Sequence, residues 1–238
     1  MIIILFICIF STNSQALLQD EDYDLVQPPY EMIKEIEIID LDPTNKISYK
    51  EYDQKNLLSQ KKYDGSWSTA NHIRLDSLNI SIKSSSTLKG YKTEYLFDKK
   101  LETAWVEGAK GDGIGEWIVT LLEAKKESVT TTPFSVRGFS MVPGYAKSAK
   151  TWMENNRIKT ALLIIYSPDS PPDAEDRYVV YRLHFEDWNG LQMFSFDDPH
   201  PSDYMIKKAW LIIEEVYRGT KYLDTCISEM VFSGGFSS

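Results

Sequence analysis

The sequence predicts an all-β chain, an antiparallel β-sandwich or jelly roll preceded by an irregular amino-terminal extension. From Leu78 onward, short runs alternate apolar and polar residues with the period of two that half-buried strands require. Proline, glycine and asparagine separate these runs as turn residues. A helical pattern occurs only at Ser148 to Asn156, as a short connector. Many short strands with few helices point to two packed antiparallel sheets.

The elements follow in order. Leu78-Asn79-Ile80-Ser81-Ile82 alternates as a strand, and Ser84 to Thr87 leaves it as a loop. From Glu116, E-W-I-V-T-L-L reads as the next strand, so the loop before it is held at one rim of a sheet. Further strands are predicted at about Phe134 to Met141, Ile158 to Tyr166, Arg177 to Phe185, Leu191 to Phe196, Ile206 to Val216 and Ile227 to Phe232. Pro143-Gly144, Ser167-Pro168 with Pro171-Pro172, Asn189-Gly190, Pro199 with Pro201, and Arg218-Gly219 supply the turns. Ahead of them, K-E-I-E-I-I-D-L alternates like a strand, D-P-T-N resembles a turn, and K-I-S-Y-K-E-Y returns as a hairpin. Residues 17–30 read as a disordered acidic linker that builds no core. The expected organisation is a signal peptide over 1–16, acidic linker and extension over 17–77, and the sandwich over 78–236.

The first ten residues, M-I-I-I-L-F-I-C-I-F, are too short an apolar run to span a bilayer, and small and polar residues lead to Ala16. This is the pattern of a secretory signal, although no Lys or Arg precedes the run, and an uncleaved anchor is the alternative. Leu5-Phe6-Ile7 lacks the small residues a lipoprotein site at Cys8 needs. Export places the protein outside the cell, in a periplasm or on the cell surface. Cleavage leaves Cys226 as the one cysteine, so stability must come from a core of about 220 residues rather than a disulfide. No transmembrane segment is expected in the mature chain. Of the net charge of −9, most lies in residues 17–42, where nine acids oppose Lys34 alone. A near-neutral body with an acidic tail argues against nucleic acid and against electrostatic docking to anionic lipid.

Candidate chemistry concentrates on Thr103 to Trp117, where two tryptophans and three carboxylates share a loop with four glycines. Glycine permits close approach, tryptophan offers a flat apolar face, and carboxylates accept hydrogen bonds from hydroxyls, which together suit a sugar. Trp105, Glu107, Asp112 and Glu116 are the candidates, whereas Trp117 fits the core better. Gly111-Asp112-Gly113-Ile114-Gly115 is not a phosphate cradle, because a strand follows it and no Gly-Lys-Ser or Gly-Lys-Thr closes it. His72, His184 and His200 are too far apart in sequence to form a metal motif, and Cys226 has no neighbouring His. A glycosidase using Glu107 with Asp112 or Glu116 is the catalytic alternative, requiring carboxyls about 5 to 9.5 Å apart. A second polar and aromatic group holds Tyr145, Lys147, Asn156 and Arg157, and a third holds Tyr217, Lys221 and Asp224.

Leu96-Phe97-Asp98, Thr103 to Gly108, Gly113 to Trp117, Pro143-Gly144-Tyr145 to Asn156-Arg157, and Val216 to Glu229 together resemble the discoidin superfamily of galactose-binding-like domains. More narrowly, they resemble the factor five/eight type C-like glycan-binding module found beside secreted bacterial NAD glycohydrolases, where it is associated with toxin translocation. The resemblance covers about Leu78 to Phe236. It implies a jelly-roll sandwich, no catalysis by the module, a bacterial exported protein, and a ligand site in the loops at one end. The contact residues it implies are Trp105, Glu107, Asp112, Glu116, Tyr145, Lys147, Asn156, Arg157, Tyr217, Lys221 and Asp224. The implied partner is a carbohydrate or cell-surface glycan, with a protein-interaction adaptor as the alternative. No cofactor is expected. Related domains continue Phe97-Asp98 with glycine and an acid, and Lys99-Lys100 in that place weakens a structural calcium site.

Overall fold

A computed structural model describes residues 26–48, 78–124, 134–167, 178–196 and 206–236. The signal segment 1–16, the linker through residue 25, residues 49–77 and the turns at Pro168 to Pro172 and Pro199 to Pro201 lie outside the described residues. Twelve strands are described: β1 (Ile38–Leu41), β2 (Asn45–Ile47), β3 (Leu78–Ser84), β4 (Trp105–Val106), β5 (Trp117–Ala124), β6 (Phe134–Val142), β7 (Asn156–Tyr166), β8 (Tyr178–His184), β9 (Leu191–Ser195), β10 (Lys208–Tyr217), β11 (Thr225–Ile227) and β12 (Glu229–Phe236). They form a sandwich of two sheets. The larger runs β1-β8-β7-β10-β5-β3, with β11 joining β7 to β4, and the smaller runs β12-β6-β9-β2. All pairings are antiparallel except β1 with β8 and β11 with β7.

Alternation along the strands builds the core between the layers. Ile118, Leu163, Tyr181 and Leu211 of the larger sheet meet Phe139, Met141, Phe194 and Phe232 of the smaller. Tyr181 stacks on Phe196 with ring centroids 4.4 Å apart, and Phe139 tilts against Phe232 at 5.2 Å. The one α-helix among the described residues, α1 (Ala149–Glu154), starts at Ser148 because a reciprocal capping box with Thr151 satisfies two orphan amides. It ends where Asn155 and Asn156 lead into β7.

The amino-terminal extension departs from expectation in two ways. The alternating and returning segments do form strands, but not a hairpin with one another. Pro43 cannot donate to a ladder, and across Asp42-Pro43 the chain passes from the edge of one sheet to the edge of the other. The expectation that residues 17–30 contribute nothing to a core fails at Val26, which packs on the larger sheet and accepts a hydrogen bond from Trp210 Nε1 at 3.0 Å. Among the described residues, no helix is long and apolar enough to cross a membrane.

Candidate functional site

The glycine-rich loop is braced from inside. Trp105 pairs with Ile227 across β4 and β11, and its side chain is 0% exposed. Its Nε1 donates to Ser86 O at 3.2 Å and Thr87 Oγ1 at 3.1 Å. Glu107 is buried as well, accepting from the Ala109 amide at 2.7 Å and the Thr225 amide at 3.4 Å. Burial raises its carboxyl pKa, and those two amide bonds oppose the rise. Gly113, at φ +74°, closes over it so tightly that a Cβ would lie 2.8 Å from Glu107 Cγ. Asp112 points to the surface: its carboxylate accepts from the Ile114 amide at 3.4 Å and reaches Arg218 Nη2 at 3.5 Å. Glu116 accepts from the Ser85 hydroxyl at 2.6 Å and also from the Ser86 hydroxyl.

The second and third groups converge through Asn156 and Arg157. Asn156 Nδ2 donates to Leu223 O at 2.6 Å and its Oδ1 accepts from the Gly219 amide at 2.7 Å, so one buried amide side chain holds both arms of the loop from 217 to 225. Arg157 grips Asp187 with Nε at 3.0 Å and Nη2 at 2.6 Å, while Nη1 donates to Asn155 O and Arg218 O. This fork ties three loops together. Tyr217 also turns inward, its hydroxyl bonded to Phe185 O at 2.9 Å.

Trp105, Glu107, Asn156 and Arg157, expected as ligand contacts, are buried in this structure. Their polar atoms are spent on the loops that surround them, and none presents a face to a ligand. The catalytic alternative suffers for the same reason, since Glu107 has no exposed surface from which to protonate a leaving group.

What faces solvent at this rim is a smaller set. Tyr145 is half-buried, its hydroxyl donates to Glu102 O at 3.2 Å, and its ring stands edge-on to Tyr91 at 6.4 Å and 82°. Leu88, Tyr91 and Tyr145 lie over Ala104, Val106 and Cys226. Asp224 is half-buried, and its carboxylate accepts no hydrogen bond from any described residue. It is close enough to contribute to raising the pKa of Tyr91, of Glu107 and of Cys226, after burial in each case. Tyr222 and Leu223 are 42% and 54% exposed, and Lys221 Nζ sits 4.7 Å from the Tyr222 ring centroid and 3.9 Å from Glu154 Oε1. Lys147 is exposed and unbonded to any described residue. Tyr91 and Leu88 were missed by sequence reasoning. The available signal was Lys89-Gly90-Tyr91, a turn in which Gly90 takes φ +99° and swings Tyr91 toward Tyr145.

Loops from β3, β4, β6, β7 and β10 thus meet at one end of the sandwich. The family model of the NAD glycohydrolase translocation F5/8 type C domain matches residues 62–233. The chain belongs to this family. No curated protein matches it. Among solved structures it is similar to the CBM32-1 and CBM32-2 domains of Clostridium perfringens ZmpB (14% identity, TM-score 0.49, covering 93% of this chain and 49% of that one). It is also similar to the family 32 CBM of C. perfringens NanJ in complex with galactose (13%, TM-score 0.44, 64% and 92%). A third is CBM32-3 from a family 31 glycoside hydrolase of C. perfringens (10%, TM-score 0.47, 74% and 100%). The chain spans about half the length of the first of these.

In this translocation F5/8 type C domain, the turn after Phe97-Asp98 keeps its shape while changing its chemistry. Lys99 takes φ 64°, the left-handed conformation that glycine adopts freely. Asp98 accepts from the Lys100 amide at 3.0 Å and from Thr103 Oγ1 at 2.8 Å. Glu229 is buried behind this turn, facing the amides of Lys99 and Lys100, and its Oε2 has no partner. Burial, and then the Asp98 charge, push its carboxyl up to about 9. Calcium takes six to eight oxygens, and among the described residues no group of three or more His, Cys, Asp and Glu able to hold a metal occurs. A separate hollow of about 540 Å³ on β7, β8 and β10 is lined by Lys159, Arg182, Glu214 and Glu215, which pair with one another at 2.6 and 2.9 Å.

Proposed function

We propose that this chain is an exported, non-catalytic carbohydrate-recognition module that takes a glycan between the Tyr91–Tyr145 pair and Asp224. The Asp224 carboxylate carries the reading: it is half-buried, lies close to Tyr91, whose ring meets Tyr145, and no described residue donates to it. A carboxylate so placed accepts two sugar hydroxyls, while tyrosine rings cover the apolar face of a pyranose. Lys147, Lys221 and the exposed edge of Tyr222 supply donors and apolar surface around it. Membership of the family and the sandwich that holds these loops support the reading. Export rests on the apolar amino-terminal run ending at Ala16.

A glycan array followed by titration calorimetry tests it. Tyr91→Ala and Tyr145→Ala are each expected to cost about 1 kcal/mol, roughly fivefold in Kd, and Asp224→Asn about tenfold. Trp105→Phe, which alters a buried brace, should leave affinity within about twofold. Binding that survives both Asp224→Asn and Tyr145→Ala sinks the proposed site. The exposed Tyr222-Leu223 pair favours a second reading, docking of a protein partner, which an array without hits and loss of partner capture in Leu223→Asp would support.

A further inference from the structure

The face of the larger sheet turned away from the interlayer core carries an apolar patch beside its charged hollow. Val180, Ile164, Trp210 and Val119 form one cross-strand row over β8, β7, β10 and β5, and Trp117 and Ile212 pair beside it. Antiparallel sandwiches ordinarily turn polar side chains outward at such positions. These six residues are nonetheless buried. Val26, Ile33 and Ile36 pack on them, and Val26 O takes the Trp210 indole hydrogen bond.

From there the chain runs along two sheet edges. β1 adds to β8 with Ile39 and Leu41 against the core and Asp40 outside, where it meets His184 Nε2 at 2.7 Å and Arg182 Nη1 at 3.9 Å. β2 adds to β9, burying Ile47 among Leu101, Val142, Trp152 and Leu191 and pairing Lys46 with Glu186 at 2.6 Å. The segment lies over an apolar patch and completes two edges whose backbone groups would otherwise want partners. In sequence it is separated from β3 by residues 49–77. An identical segment from another molecule would meet an identical surface.

We infer that this patch and its two flanking edges are a receptor for the segment 26–47, filled by those residues of the same chain and open to the same residues of a second copy. The test uses the full chain with a protease site inserted within residues 49–77. After cleavage, the amino-terminal fragment should co-elute with the sandwich on gel filtration. Excess fluorescein-labelled peptide of residues 26–48 should then displace it, and a peptide carrying Ile33→Asp and Ile36→Asp should compete at least about tenfold less well. Loss of the fragment without uptake of the labelled peptide overturns the inference, as does equal uptake of both peptides. So does a fragment that never exchanges while near-ultraviolet circular dichroism reports a folded sandwich.

Discussion

Replacing Glu229 with glutamine probes how the fold keeps a carboxyl at the inner end of its rim. Glu229 opens β12, is 2% exposed, and has its carboxyl pushed up to about 9 from an ordinary 4.5. In the unfolded chain the same group ionises near pH 4.3. Between these values the folded protein holds one proton more than the unfolded chain, so stability falls as pH rises, by about 1.4 kcal/mol per unit. Below the lower value both states are protonated and the contribution is full; above about 9 the loss is complete. Over the roughly 2.7 units up to pH 7 the accumulated loss is about 3.7 kcal/mol. Glutamine cannot ionise and nearly preserves the shape. Glu229→Gln should therefore raise the unfolding free energy by about 3 to 4 kcal/mol at pH 7 and by close to zero at about pH 4. Guanidinium unfolding at a series of pH values, with and without a chelator, measures this directly. A variant less stable than the parent at pH 7, with the parent weakened by chelation, would refute the reasoning and place an ionised Glu229 against a bound cation.

Two further substitutions separate bracing from recognition. Arg157→Met removes the fork to Asp187 and leaves the carbonyls of Asn155 and Arg218 without their donor, which should cost about 3 kcal/mol in denaturant titration. Gly113→Ala combines a positive φ with a Cβ 2.8 Å from Glu107 Cγ, whereas Gly90→Ala meets nothing within 4 Å at φ +99°. Both should pay about 1 kcal/mol for conformation, and the Gly113 variant should melt lower still because it alone displaces Glu107.

Most of the described strands and the helix α1 were legible because their causes are local. Period-two alternation marks β3, β5 and β6 to β10, and the Ser148 to Thr151 capping box marks α1. β4 was not legible: two residues carry no period, and Trp105-Val106 is a strand only because residues 226 and 227 lie alongside. The burial of Trp105 and Glu107 was not legible for a related reason. A tryptophan, three carboxylates and four glycines describe a sugar site and a self-braced loop equally well. Donors far away in sequence decide between them: the Thr225 amide claims Glu107, and acceptors at Ser86 and Thr87 claim the Trp105 indole. Asp224 has the same chemistry as Glu107 but no such claimant among the described residues, which is why the proposed site is built on it. The covered outer face was half legible. Unbroken apolar runs at Ala161 to Ile165 and Ala209 to Ile213 signal burial on both sides of a strand. Nothing local signals that the second cover is an acidic amino-terminal segment, because its Val26, Ile33 and Ile36 share no period with the strands they protect. Which rim carboxylates are bonded within the fold is thus decided by donors distant in sequence, and composition alone cannot sort them.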